Sequence, residues 1–247
     1  MGKMGALLIA FSAGLAFFLG ALIVAFFKDK KKISDFAIAM SFAVILGVII
    51  LELIPEIKTL LAPIKPLFRY LLIIILTLGG ILFVKILDIL IPHHHYHNKG
   101  EEKHLSHIGL VTAVALLGHN FIEGLSIYSA YILNPNLGIL LSLGVIIHNI
   151  PLGMQITANM NKEGIKAYLL LLALTCATIL GPLTIFVLNI NLAPFWFGIF
   201  MSFSLGMLLY IVLFELLTEF VKNIKQKRSL IGFGCGLLVV FLGMFIG

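Results

Sequence analysis

Long apolar runs separated by short polar linkers make up almost the whole chain. A helix needs about 20 mostly apolar residues to cross a bilayer. Runs that approach or exceed this length cover residues 5–27, 36–54, 68–91, 108–133, 137–160, 167–190, 195–217 and 230–246. The longest linker covers only residues 92–107, which is too short for a soluble domain. The pattern predicts an all-α polytopic membrane protein with eight transmembrane helices, forming one domain over residues 1–247.

Composition supports a membrane protein and argues against several functional classes. Hydrophobic residues make up 61% of the 247 residues and charged residues 11%, whereas a soluble domain is about 25% charged. The sequence contains no P-loop, which argues against an ATP-driven pump, and no His-Glu-x-x-His motif, which argues against an intramembrane zinc protease. We therefore expect a chain embedded in a lipid bilayer that is not an enzyme and has neither an organic cofactor nor a nucleic-acid partner.

The placement of Lys and Arg predicts the orientation of the helices. Twelve of these residues lie in the linkers after the first, third, fifth and seventh helices, and four lie on the opposite side. Cytoplasmic loops of membrane proteins carry an excess of positive charge. We therefore expect these linkers in the cytoplasm, both termini outside, and the chain in the cell (inner or plasma) membrane.

Two neighbouring apolar runs carry polar side chains at their centres. His119 and Glu123 in the fourth helix are four residues apart and share one face, with Asn120 beside them, and the fifth helix carries His148 and Asn149. A carboxylate at bilayer depth costs about 2.5–3.5 kcal/mol, and such residues mark ion paths by default. Two facing helices can bring imidazole, carboxamide and carboxylate groups to one metal ion. The alternative is a hydrogen-bond network that only holds the helices together.

Six of the eight histidines lie between the third and fourth helices. They are His93, His94, His95, His97, His104 and His107. A His-rich tract of this kind is typical of weak binding of several metal ions. Asp88 precedes the tract by a few residues and stands three residues after Lys85, a spacing that also allows a simple ion pair.

Pairs of carboxylates occur near the ends of two helices. Glu52 and Glu56 are four residues apart at the outer end of the second helix, where Pro55 predicts a helix end or a kink. These two residues form either a solvated helix end or an acidic funnel that gathers cations. Glu215 and Glu219 form a similar pair at the cytoplasmic end of the seventh helix, again with interfacial solvation as the alternative.

The eighth helix is rich in glycine. Its glycines are Gly232, Gly234, Gly236 and Gly243. Small residues on a helix surface let another helix approach closely. They favour either a packing face inside the bundle or a contact between two copies of the chain, which would make the protein a homodimer.

The two central motifs resemble those of a known transporter family. His-Asn-x-x-Glu-Gly in the fourth helix and His-Asn-x-Pro-x-Gly in the fifth, with a His-rich linker before them, resemble the ZIP (Zrt-/Irt-like) divalent-metal transporters, particularly the bacterial branch. The resemblance covers the whole chain and implies a ZIP-like bundle with a transport site, often binuclear, between these helices. It implies His119, Glu123 and His148 as primary ligands, and Asn120 and Asn149 at a second ion position. It also implies that Asp88 and the linker histidines receive the metal on the cytoplasmic side.

The sequence departs from the family pattern where the second ion would bind. Leu152 stands where the family usually has a Glu that bridges two ions, and Gly181 stands where it usually has a Glu before the proline of the sixth helix. Ile122 replaces a frequent proline, which matters least. Thr178, about one turn before Gly181, offers only a neutral oxygen. One carboxylate is poorly matched to two divalent cations in a low-dielectric site, so we expect a single bound ion or a very weak second one.

Three functional hypotheses follow. The first is a ZIP-like transporter that moves Zn²⁺, or Cd²⁺, Mn²⁺, Fe²⁺ or Co²⁺, into the cytoplasm as its substrate; the absence of cysteine near the site argues against Cu(I). The second is a ZIP-like protein that binds metal as a sensor or scaffold without transport, which Leu152 and Gly181 favour. The third is a transporter of another solute that uses His119 and Glu123 as a proton relay.

Overall fold

A computed structural model describes residues 2–90, 100–160, 164–190 and 192–246. Within these ranges the chain forms ten α-helices and two π-helical segments. They are α1 (Lys3–Ala25), α2 (Lys30–Val48), π1 (Ile49–Leu53), α3 (Ile54–Leu60), α4 (Pro66–Leu90), α5 (Gly100–Leu133), α6 (Pro135–Asn159), α7 (Ile165–Leu188), α8 (Pro194–Tyr210), π2 (Ile211–Leu216), α9 (Leu217–Asn223) and α10 (Lys227–Ile246).

The fold is an all-α polytopic membrane bundle, as the apolar pattern predicts. Seven helical stretches in the described residues are long and apolar enough to cross a membrane, and α10 adds a further 20-residue helix. The second predicted helix corresponds to α2, π1 and α3, and the seventh to α8, π2 and α9. The predicted fourth and fifth helices, which carry the polar motifs, correspond to α5 and α6.

One predicted linker is shorter than the sequence indicates. We expected a loop over residues 92–107, but α5 begins at Gly100, so residues 100–107 are helical. An apolar run indicates only the part of a helix that lies at bilayer depth. It does not indicate a polar extension of the same helix beyond the bilayer. His93, His94, His95 and His97 lie outside the described residues.

The second predicted helix does not end at Pro55. It continues to Leu60, and the π1 segment lies just before the proline. A proline lacks a backbone N–H, so it cannot donate to the carbonyl one turn earlier. In π1 the N–H of Ile54 instead reaches back five residues to the carbonyl of Ile49. The change to π geometry thus carries the helix through Pro55 without a break.

Glycines bring the helices of the central group, α1, α5, α6 and α7, into close contact. Gly124 on α5 lies against the carbonyl of Thr178 on α7, and Gly153 on α6 lies against the carbonyl of Phe17 on α1. A Cβ atom at either glycine would overlap the facing backbone. The glycines that end both sequence motifs therefore serve close helix packing.

The glycine-rich last helix packs inside the same chain. Gly232 and Gly236 on α10 lie against the carbonyls of Phe36 and Met40 on α2. Between the same two helices, Nε of Arg228 lies 2.7 Å from a carboxylate oxygen of the buried Asp35. These contacts account for two of the four glycines, and the homodimer stays a prediction.

Candidate metal site

Three of the predicted ligands meet between α5 and α6. His119 and Glu123 stand one turn apart on α5, and His148 faces them from α6. One ligand atom from each residue lies within 4.8 Å of the other two. Both histidines are buried, with 5% of their surface exposed. The arrangement brings two imidazoles and one carboxylate to one point inside the bundle.

Glu123 connects the two histidines. Its Oε1 atom lies 3.0 Å from Nε2 of His119 and 2.9 Å from Nε2 of His148. Its second oxygen, Oε2, has no hydrogen-bond partner in the described part of the chain. Imidazole nitrogen and carboxylate oxygen are ordinary ligands of Zn²⁺, and three protein ligands leave a fourth position open. A site of this kind can bind an ion and still exchange it.

The two asparagines have different surroundings. Asn149 donates from Nδ2 to the carbonyl of Ala13 on α1 at 3.1 Å. Asn120 is fully buried, and neither side-chain atom of it has a hydrogen-bond partner among the described residues. The role of both residues as ligands of a second ion stays a prediction.

The other sequence positions that would supply ligands to a second ion hold no carboxylate. Leu152 is buried beside His148. Gly181 lies against the carbonyl of Phe121, so a side chain there would overlap the backbone of α5. The hydroxyl of Thr178 donates to the carbonyl of Leu174 on its own helix at 3.0 Å. The accessory role of Thr178 stays a prediction.

A cavity of about 40 Å³ reaches the site from one side. Its walls include His119 and Glu123 together with Glu52 and Glu56 of the second transmembrane helix. Ser204 of α8 also lines it. The predicted carboxylate pair near the end of the second transmembrane helix thus shares one cavity with the central ligands.

On the other side of the histidines lies an apolar layer. A small cavity of about 10 Å³ is lined there by His119, His148 and aliphatic side chains. The aliphatic residues are Val44, Ile45, Val48, Leu116, Leu152 and Leu208. Such a cavity has room for about one water molecule. The apolar layer offers an ion no polar group other than the two imidazoles.

A second group of ligand-type side chains lies near the opposite end of the bundle. Asp88 on α4, His107 on α5 and Glu215 in π2 place one ligand atom each within 4.8 Å of one another. The carboxylate of Asp88 lies 2.7 Å from Nε2 of His107 and accepts a hydrogen bond of 2.7 Å from Tyr210. Asp88 thus bonds to residues from two other helices.

Glu219, close in sequence to Glu215 of this second group, has basic neighbours. Glu219 on α9 pairs with Lys222 at 3.0 Å and lies 3.4 Å from His104. The spacing of Glu219 and Lys222 on one helix allows this pair. Of the second pair of carboxylates in the sequence, Glu215 lies beside Asp88 and His107, and Glu219 pairs with Lys222.

Sequence reasoning missed two residues of these groups. Ser204 lies 2.8 Å from Nδ1 of His119 through its Oγ atom, although the two residues are 85 positions apart. Tyr210 is one aromatic residue in an apolar run, whereas His107 belongs to the His-rich tract that the sequence relates to metal binding. No local spacing distinguishes these residues, because their partners lie on other helices.

Comparisons with known proteins point to one family. Residues 93–244 match the family model described as ZIP zinc transporter. The chain is 29% identical over 147 residues to zinc transporter ZupT of Chlorobium limicola, covering 53% of this chain and 54% of the relative. It is 28% identical over 143 residues to ZupT of Xanthomonas campestris, covering 54% and 53%. With ZupT of Chlorobium chlorochromatii it is 26% identical over 252 residues, covering 95% and 94%. The chain thus spans about half the length of the first two relatives and nearly all of the third.

Proposed function

This chain belongs to the ZIP zinc transporter family, and on that basis we propose that it carries a divalent transition-metal ion across the cell membrane into the cytoplasm. Zn²⁺ is the substrate that the ligand types and the names of the relatives favour, with Cd²⁺, Mn²⁺, Fe²⁺ and Co²⁺ as further candidates. The observation that carries the proposal is the convergence of His119, Glu123 and His148 within 4.8 Å. Ionisable groups at this depth in a membrane are costly, and where they occur they mark ion paths by default.

The proposed path runs from Glu52 and Glu56 to the central ligands and then to the far end of the bundle. Carboxylates in the walls of a cavity raise the local concentration of cations. The excess of Lys and Arg in the linkers at the opposite end supports an external position for this cavity. The same argument supports both termini outside and Asp88, with His107 and Glu215, at the cytoplasmic exit.

We propose that the central site holds one ion. Among the described residues, Glu123 is the one acidic residue in contact with both imidazoles, and its charge balances half of the charge of a divalent ion. A second divalent ion close by would add repulsion between cations in a medium that screens it weakly. Leu152 adds no ligand, and the close contact at Gly181 leaves no room for a side chain there, so neither position adds a carboxylate.

Uptake by proteoliposomes tests the proposal. The purified chain, in vesicles loaded with a fluorescent chelator, is expected to admit Zn²⁺ down its gradient, and Cd²⁺, Mn²⁺ and Fe²⁺ are compared. His119→Ala and Glu123→Gln are expected to abolish uptake; the second change removes the charge and keeps the shape. Ser202→Ala serves as a control, since this hydroxyl donates to its own helix at Gly198.

A sensor or scaffold that binds metal without moving it is the second candidate. The aliphatic side chains of Leu116, Leu152 and Leu208 beside the histidines favour it, because they offer a passing ion no ligand. If the purified protein binds Zn²⁺ through His119 and Glu123 but admits no ion, this second candidate is correct. Uptake that survives both substitutions would contradict the metal site itself.

A further inference from the structure

We propose that Ser204 is a positioning residue of the metal site, which holds the ring of His119 so that Nε2 faces the ion. The inference rests on the proposed function, because it takes His119 as a metal ligand. Ser204 Oγ lies 2.8 Å from Nδ1 of His119, and Nε2 of the same ring lies 3.0 Å from Glu123. The two nitrogens lie on different edges of the ring, so Ser204 contacts the edge that the ion does not use.

The contact is buried inside the bundle. Ser204 has no exposed surface and His119 is 5% exposed. A buried hydrogen bond has little competition from water, and loss of one partner leaves the other unsatisfied. The bond also joins different parts of the bundle, because Ser204 belongs to α8 and His119 to α5. It therefore fixes the ring relative to a helix that carries none of the three ligands.

Ser202, two residues earlier on α8, shows the ordinary behaviour of a buried helical serine. Its hydroxyl donates to the carbonyl of Gly198, four residues back, at 2.6 Å. This bond within the helix is the usual one for serine at such a position. The hydroxyl of Ser204 is instead within hydrogen-bond distance of His119. The two serines are alike in residue type and burial and differ in what the hydroxyl contacts.

A hydroxyl suits a ligand that must bind and release an ion. When Nε2 of a neutral imidazole binds metal, the proton is on Nδ1, which donates to Ser204 Oγ. When Nε2 carries the proton, Nδ1 is an acceptor and receives the O–H of Ser204. Serine can donate and accept, whereas a carbonyl only accepts and an ammonium group only donates. Ser204 can thus hold the ring both before and after an ion binds.

The two histidines of the site differ in this respect. Nδ1 of His148 has no hydrogen-bond partner in the described residues. His119 is therefore the imidazole whose orientation is set by a side chain from outside the ligand helices. Removing the Ser204 hydroxyl would free the ring of His119 and leave His148 unchanged.

Metal affinity and spectroscopy of the full chain test the assignment. Zn²⁺ affinity is measured by calorimetry, and Co²⁺ absorption reports the ligands and their geometry. The linker histidines His93, His94, His95 and His97 are replaced by Ala in every sample, so that their weak binding does not mask the central site. Loss of a group that orients a ligand typically lowers affinity by about 10–100-fold. We expect this loss, with an altered Co²⁺ spectrum, in Ser204→Ala.

Two further variants complete the test. Ser204→Thr keeps the hydroxyl and is expected to restore most of the affinity, and Ser202→Ala is expected to match the unchanged protein. An unchanged affinity and Co²⁺ spectrum in Ser204→Ala would overturn the proposal, as would an equal loss in Ser202→Ala, which would indicate a packing effect. Undiminished binding by His119→Ala would instead contradict the site on which the proposed function rests.

Discussion

At the scale of single residues, Leu152 decides how much charge the site contains. Its side chain is 2% exposed and lies beside His148 in the apolar layer. A carboxylate in its place would stand beside His148, whereas leucine adds no ligand. The single-ion account therefore depends on this residue together with the side-chain-free Gly181.

Leu152→Glu is expected to raise the number of bound Zn²⁺ ions from one to two per chain. The added carboxylate compensates the charge of a second ion, which Glu123 alone cannot do. Calorimetric titration of the chain with the linker histidines replaced by Ala measures the stoichiometry. Leu152→Gln, of similar shape but neutral, is the matched control and should still bind one ion. Unchanged stoichiometry in Leu152→Glu would remove the cause that we give for a single site.

His119, Glu123 and His148 could be predicted from the sequence because ionisable groups stand out in apolar runs and helical spacing places two of them on one face. Ser204 could not, because a serine in an apolar helix usually serves packing, and its partner is 85 positions away. Tyr210 is hidden for the same reason, since its partner Asp88 lies on another helix. The proposed ligands are thus visible in the sequence, and the residues that contact them from other helices are not.

At the scale of helices, contacts between glycine and a facing carbonyl set how close α5 comes to α7. Gly124 lies against the carbonyl of Thr178, and Gly181 lies against the carbonyl of Phe121. The two contacts are reciprocal, with one glycine on each helix. They hold the helix that carries His119 and Glu123 against its neighbour.

Gly181→Ala is expected to destabilise the protein by about 1–3 kcal/mol, the usual cost of overpacking. The new methyl group would overlap the carbonyl of Phe121. Thermal unfolding in detergent measures the change as a lower Tm. Gly144→Ala on α6 is the control, because a Cβ there meets no atom within 4 Å. Equal melting temperatures of the two variants would contradict the close contact.

Each of the two π segments contains the first residue of a predicted carboxylate pair and precedes the second. Glu52 lies in π1 and Glu56 follows it; Glu215 lies in π2 and Glu219 follows it. A π segment inserts one residue into the helical register and so turns the side chains that follow. The apolar pattern predicts the existence of both helices and cannot predict these segments, because it reports burial and not the hydrogen-bond register.

The double substitution Glu52→Gln and Glu56→Gln is expected to slow uptake at low Zn²⁺ concentration and to leave the affinity of the central site unchanged. Carboxylates at a cavity wall act on the rate of encounter with the cation, which falls as salt screens them. Initial uptake rates at low and high ionic strength measure the effect. A solvated helix end without function would give the same rates in the variant and the unchanged protein at both salt concentrations.

At the scale of the whole molecule, the charged and polar groups form a sequence from one end of the bundle to the other. Glu52 and Glu56 share a cavity with the central ligands, and Asp88 with His107 and Glu215 stands beyond the apolar layer. Because these aliphatic side chains offer an ion no ligand, we expect transport to involve a change in the shape of the molecule. The direction of transport then depends on which end faces the cytoplasm, which the charge of the linkers predicts.

Labelling of single cysteines tests that orientation. In a chain in which Cys176 and Cys235 are replaced by Ala, Asn134→Cys lies between α5 and α6 and is expected to react with a membrane-impermeant maleimide added outside intact cells. Lys28→Cys, between α1 and α2, should react only after the cells are opened. Both positions are exposed, so access differs only through the membrane. The reverse labelling pattern would invert the proposed direction.

X-ray absorption at the zinc edge tests whether the ion binds to His119, Glu123 and His148. The sample is the full chain with His93, His94, His95 and His97 replaced by Ala, loaded with one equivalent of Zn²⁺. The account predicts an ion bound to two imidazoles and carboxylate oxygen, and one imidazole fewer in His119→Ala or His148→Ala. The same spectrum in both variants as in the parent would show that the ion binds elsewhere and would contradict the site between α5 and α6.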